Sequence, residues 1–322
     1  MNFMTRAWGK LFGNATEQRT GEQMLEPATA AHDDSPNVGI DSALQVSTVW
    51  ACVTLLVETI ASLPMVVYQV SSSGERKINE ALRIYKILHE SPNKRQTAQE
   101  FWEQMILNFV LRGNAYARIE RDSSGEVVSL WPLATDQVQV IAADDGSLVY
   151  VYGFDQQKLV FDENHILHIR GMGNGVVGMS PLDYMRSSVG LAISAQNHTT
   201  KTFRKDARRP GVLMSDNVLT AEQRSKVKES LGGLVSGNGS ELHVLEAQFK
   251  FEPLGMSPAD IQLLETRQFA VQDLARWFGV PSVLINDMAE STTLGSSVQQ
   301  IVDGFYKLKL RPQLGRIEQA IH

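Results

Sequence analysis

The chain has 322 residues, 43% of them hydrophobic and 20% charged, which supplies a large core and excludes a generically disordered chain. A formal charge of −6 argues against a protein that grips nucleic acid through Lys and Arg on the phosphates. The single cysteine, Cys52, excludes an intramolecular disulfide and a Cys-rich metal site and fits a reducing compartment.

Residues 1–41 are polar and read as a flexible N-terminal arm, with at most a short amphipathic turn around Trp8, Leu11 and Phe12. No continuous apolar core of a secretory signal occurs there. From Ala43 the pattern becomes helical, with Val49, Val53, Leu56 and Ile60 on one side and Pro64 as the stop. Its charge-light stretch is too short to span a bilayer, so it predicts a buried helix and no membrane partner. MVVYQV follows as an extended run, then a short helix over Glu80 to His89. A further helix starts at Thr97, with Glu100 at capping-box spacing, and ends at Gly113 and Asn114. Six alternating segments follow, AYARIER, VVSLWPL, QVQVIA, LVYVYG, KLVFD and ILHIR, with turns at Ser124-Gly125 and Asp145-Gly146. The body is therefore α+β, helices first and one antiparallel sheet second.

GMSP occurs twice, at Gly178 and at Gly255, each time opening a long helical segment with Ser as cap and Pro in the first turn. The first rod runs to about Lys205; the second ends at Gly279 and Pro281, with Ile261, Leu264, Val271, Leu274 and Phe278 as its apolar stripe. Between them lies an excursion of roughly fifty residues, small for a domain. It carries a short helix over Thr220 to Leu231, a GGLVSGNGS loop and the strand ELHVLEAQFKFEPL. The first rod is polar on most sides and narrow, with Ser187, Ser188, Gly190, Ala192, Ser194 and Ala195, which suits a helix flanked by other chains better than a monomer core. A solvent-exposed surface helix is the plainer alternative. The last segment is helical with a break near Pro312.

Candidate chemistry is sparse. Gly173, Gly175 and Gly178 form G-x-G-x-x-G, but the helix starts after the last glycine and no second strand ends in an acid twenty residues on, so a flexible hinge is the better reading. His165 and His168, three apart in HILHIR, point to opposite faces of a strand and do not share a metal. Ser180 and Ser257 are caps, not nucleophile elbows. No catalytic, cofactor or metal residues are assigned, and no cofactor is expected. The basic ends Lys201 to Arg209 and Lys307, Lys309 and Arg311 read as solvated helix ends, or, for the second, as transient phosphate contacts.

The order of pieces resembles the portal proteins of long-tailed bacteriophages, of the lambda-like type. The residues that carry it are Ser47 to Gln69, Ser91 to Asn93, Phe109 to Arg121, Leu130 to Leu133, Ile166 to Gly171, Gly178 to Leu182 and Leu263 to Ile285. The resemblance implies a ring oligomer, a dodecamer in the virion, at one capsid vertex, assembled in the host cytoplasm. It further implies a wing over 42–177, stem helices over 178–205 and 255–281, an α+β clip over 206–254, a tunnel loop over 282–297 and a tunnel helix over 298–322. A further wing strand and a crown would follow beyond His322. Ser296, Ser297, Val298 and Gln299 stand where the family pattern has Asn and Glu, which leaves the loop's end open.

On that resemblance the chain is not an enzyme: it forms the channel for packaging and ejecting double-stranded DNA without sequence specificity. The expected partners are the large terminase, head-completion or tail-adaptor proteins and the major capsid protein. Ser291, Thr292, Thr293, Lys307 and Lys309 are the candidate channel residues, and Ser188, Ala192, Ala195, Glu265, Gln268 and Gln272 the candidate interface between stems. The rival readings are a monomeric interaction module with a helical hairpin arm and a nucleotide-binding enzyme using Gly173 to Gly178.

Overall fold

Two helices open the described chain, α1 (Ile40–Leu44) and α2 (Ser47–Ala61), in a computed structural model that describes residues 38–153, 158–206, 211–215, 220–222, 225, 249–253, 258–287 and 295–322. The single helix expected from Ala43 is thus two: Val46 takes an extended backbone, with ψ 117°, and interrupts the ladder. In α2, Val49, Cys52, Val53, Leu56 and Ile60 are buried, as their spacing requires. Burial pushes the Cys52 thiol up to about 12, so it behaves as a small apolar residue.

The extended run appears as β1 (Tyr68–Val70), which pairs with an unanticipated β2 (Arg76–Ile78). Next come α3 (Arg83–His89) and α4 (Ala98–Arg112). The expected capping box is present: Thr97 Oγ1 accepts from Glu100 N–H at 3.3 Å, and Glu100 Oε2 accepts from Thr97 N–H at 2.8 Å. Gly113 closes the helix in the left-handed region, φ 70°, which disfavours any residue with a Cβ. Phe101, Trp102, Met105, Ile106 and Phe109 then face α2 in the main core.

The six strands are where the alternation puts them: β3 (Asn114–Arg121), β4 (Val127–Leu133), β5 (Val138–Ala142), β6 (Leu148–Tyr152), β7 (Leu159–Asp162) and β8 (Ile166–Arg170). They form two sheets, β4-β3-β8 and β5-β6-β7, both antiparallel, in place of the single sheet expected. A 3₁₀ turn at Thr135–Gln137 ends β4 and redirects the chain, so β5 pairs with β6. Tyr116, Leu133, Tyr150 and Ile166 form a second apolar cluster that draws on both sheets.

The first rod is also divided. Ser180 caps only α5 (Pro181–Tyr184), Met185 leaves helical geometry, and α6 (Arg186–Asp206) continues. Strands β9 (Gly211–Ser215) and β10 (Phe249–Pro253) pair antiparallel, Gly211 opposite Pro253, and bring the two ends of the excursion together. The second rod is α7 (Pro258–Phe278), packed against α6 and stopped by Gly279. The terminal segment comprises α8 (Gly295–Phe305), a π-helical turn over Tyr306–Leu310 and α9 (Arg311–Ile321). No break occurs at Pro312. The wide turn before it accommodates a residue that lacks an N–H and whose ring crowds the carbonyl four back.

Both rods are rooted in the main core. Leu182, Met185 and Val189 enter it from the first and Leu274, Ala275 and Phe278 from the second, beside Phe305, Leu310 and Ile317 of the terminal segment. Several expectations lie outside the described residues: the first 37 residues of the arm expected over 1–41, the cap at Ser257, most of the short helix from Thr220, the GGLVSGNGS loop, and Ser291, Thr292 and Thr293. The last residues of the expected arm are instead part of the fold, with Val38 buried in the main core and a helix from Ile40.

Candidate functional site

Among the described residues, the paired helices α6 and α7 carry side chains that the core leaves uncovered. On α7, Glu265, Gln268, Phe269, Gln272 and Arg276 recur at three, four, seven and eleven, one face of a helix. Glu265, Gln268 and Arg276 are exposed and Gln272 is half-buried. Phe269, 56% exposed, sits in the middle of this polar stripe, and Trp277 and Leu191 are exposed on the same hairpin. An aromatic ring flanked by glutamines and a glutamate at helical spacing is the signal in the sequence for this outward face. Exposed large apolar side chains of this kind mark contact surfaces when they cluster.

Three small residues of the first rod also contact their own chain. Ser188 Oγ accepts from Trp277 Nε1–H at 3.1 Å, Ala195 is buried at 7% exposure, and Ala192 is half-buried against the core. Their small size lets α6 lie close against its own chain, while Ser188 and Ala192 stay partly exposed. Glu265 and Gln268 remain outward.

The terminal segment separates its two lysines. Lys307 is exposed, whereas Lys309 folds inward: a Cβ added at Gly279 would meet Lys309 Cδ, Nζ and Cε at 3.1, 3.2 and 3.3 Å. Burial lowers the Lys309 ammonium from its ordinary value. Its charge therefore sits at the C-terminal end of α7, where helix carbonyls favour a cation, and not beside Lys307. Between them Leu308 is 81% exposed, with Tyr306 also outward.

The glycine run is neither a phosphate cradle nor a loose hinge. Gly173 and Gly178 form an antiparallel bridge, Met179 N–H donates to Met172 O at 2.8 Å, and Gly171 N–H donates to Gly113 O at 2.7 Å. Asn174 Oδ1 accepts from the N–H groups of Val176 and Val177, each at 3.0 Å, and Asn114 holds that of Gly178. The amides of Gly171, Asn174, Val176, Val177, Gly178 and Met179 are thus bonded within the chain and do not face a phosphate. At Gly178 a Cβ would collide with the Gly113 carbonyl, so the loop closes backbone against backbone.

The two histidines occupy unrelated settings. His165 lies in a 3₁₀ turn, not on the strand, and its Nδ1 is 2.6 Å from Asp162 Oδ1. His168 on β8 is 9% exposed, stacked near Tyr116 with ring centroids 4.3 Å apart, and its Nδ1 lies 3.2 Å from the Tyr150 hydroxyl. Burial, helped by Arg170, pushes its pKa down to about 3, so the ring is neutral. Burial likewise raises the Tyr150 hydroxyl to about 12, which keeps it a donor. Among the described residues no three His, Cys, Asp or Glu side chains gather to hold a metal, and no helix is long and apolar enough to cross a membrane.

A cleft of about 750 Å³ at the β3–β4 tip is lined by Arg118, Glu120, Arg121, Phe161 and His165 among others. Its charges are satisfied locally. Glu120 accepts from Arg118, Ser129 and Trp131, Asp122 pairs with Arg83 at 2.7 Å, and Arg121 donates to the Gly125 and Asn164 carbonyls.

With this geometry in view, the family model described as phage portal protein matches residues 47–322. The portal protein of Enterobacteria phage HK97 is 35% identical over 313 residues, covering 96% of this chain and 74% of the relative. The probable portal protein of Streptomyces phage phiC31 is 33% identical over 296 residues, covering 87% of this chain and 64% of the relative. Among solved structures, the neck of the native gene transfer agent particle, computed with C12 symmetry, aligns with a TM-score of 0.66 at 23% identity, over 89% of this chain and 80% of that one. At that identity the likeness is one of fold.

Proposed function

The chain belongs to the phage portal protein family, and from that premise we propose that it assembles into a ring at one capsid vertex and forms the channel for packaging and ejecting double-stranded DNA. The observation that carries this reading is the relationship to the HK97 portal protein over nearly the whole chain. The hairpin supplies the physical means. Phe269, Trp277 and Leu191 stand outward on two rods whose inner residues are already packed, and a neighbouring copy would cover them.

On this reading residues 42–177 are the wing, α5–α6 (178–205) and α7 (255–281) the stem, 206–254 the clip, 282–297 the tunnel loop and 298–322 the tunnel helix. The paired β9 and β10 close the base of the clip. Twelve copies, the symmetry of the related neck, would carry about −72, a field that repels phosphate and lets DNA slide instead of sticking. Such a conduit makes and breaks no bonds, and ATP hydrolysis belongs to the motor. The large terminase would dock on the clip during packaging, head-completion or tail-adaptor proteins would follow, and the major capsid protein would surround the wing in the virion after assembly in the host cytoplasm.

Multi-angle light scattering with electron microscopy tests the assembly. The wild-type chain is expected as a closed ring, and Phe269→Asp as a folded species of 35.7 kDa. A wild-type monomer at micromolar concentration would refute the reading in favour of a monomeric interaction module.

A further inference from the structure

The glycine run, a motif that the channel reading leaves without a part, is the end point of a buried hydrogen-bond chain. Asn114, at the start of β3, uses its whole side-chain capacity. Its Nδ2 donates to Gly178 O at 2.7 Å and to Arg112 O at 3.1 Å, and its Oδ1 accepts from Gly178 N–H at 2.7 Å. Because Gly178 requires Oδ1 to be the acceptor, His168 Nε2, 3.1 Å away, donates to it. That leaves Nδ1 to accept from the Tyr150 hydroxyl at 3.2 Å. One continuous path therefore runs from β6 of the second sheet, through β8 and β3 of the first, to Gly178, two residues before the Ser180 cap. All three side chains are buried.

We infer that Tyr150, His168 and Asn114 are positioning residues that lock the root of the first rod to both sheets and so set the direction in which α5–α6 leaves the body. The need for such a lock follows from the rest of the root. Ser180 caps only four helical residues, Met185 interrupts the helix, and the remaining anchors are the apolar Leu182, Met185 and Val189, a long Ser180 Oγ bond to Leu111 O at 3.4 Å and the exposed Ser188–Trp277 bond. Apolar contacts hold without fixing an angle, whereas a residue held on both its N–H and its C=O has the two peptide planes that flank it fixed in orientation. If the rod is a stem helix, the lock fixes the stem's angle to the wing, but the inference is tested on the chain itself and does not depend on ring function.

The experiment compares two amide replacements of the histidine that differ by one methylene, so that unchanged exchange in α2 and α4 controls for the larger void in the shorter one. His168→Gln can place an amide N–H near the former Nε2 and keep the bond to Asn114, whereas His168→Asn reaches only the position of Nδ1. Amide exchange over Gly178 to Val189 is expected to be about tenfold faster in His168→Asn than in His168→Gln, with α2 and α4 unchanged. Tyr150→Phe, which removes only the distal hydroxyl, should accelerate the same segment by a smaller factor. Equal exchange in both histidine variants, or an effect confined to β6 and β8, overturns the inference and leaves the ring assignment standing.

Discussion

Replacing His168 by Gln should remove a large part of the protein's sensitivity to mild acid. The native ring stays neutral down to about pH 3, because burial and Arg170 disfavour its charge, while in the unfolded chain it takes a proton near the ordinary 6.5. A base whose native pKa is depressed leaves the unfolded state holding more protons. Its contribution is intact above pH 6.5 and is lost as the pH falls from 6.5 towards 3. Worked from those two values, the native state loses about 2 kcal/mol between pH 7 and pH 5, and roughly 4 kcal/mol by pH 3, from this side chain alone. Urea unfolding of wild type and His168→Gln at pH 7 and pH 5 measures it. The wild type should lose about 2 kcal/mol more than the variant over that interval. Identical losses would show that His168 is free to protonate in the native state, and the assignment of its Nδ1 as an acceptor would fall with it.

Gly178→Ala places a methyl group on the Gly113 carbonyl and is expected to cost at least about 3 kcal/mol, while Gly304→Ala, a helical position with open space, should gain about 1 kcal/mol; thermal melts distinguish them. Lys309→Met should hold or raise the melting temperature, since its charge is disfavoured by burial and Met keeps the apolar stem; a marked fall would show that the ammonium is needed at the end of α7. Phe269→Asp should abolish ring formation with its far-ultraviolet circular dichroism spectrum unchanged, and rings of normal size would place the subunit contact elsewhere.

What was legible in the sequence was local. Thr97, Glu100 and Gly113 mark a helix whose ends are settled by groups within four residues, and strand alternation from Ala115 to Arg170 places all six strands. Errors began where the deciding partner was far along the chain. Nothing near Ser188 in the chain announces that its hydroxyl meets Trp277, 89 residues away. The pair Lys307 and Lys309 read as one basic face, but a π turn rotates the second into the chain.

By itself the sequence determined the element types, the α+β class and the family, because these are written in short spacings and in blocks that recur in order. Only the tertiary structure decided that the strands divide into two sheets, that the glycine run is a closed loop, and that Asn114 joins Gly178 and His168 across 64 and 54 residues. Hydrogen bonds at such separations depend on how the whole core packs. No local pattern of residues encodes that.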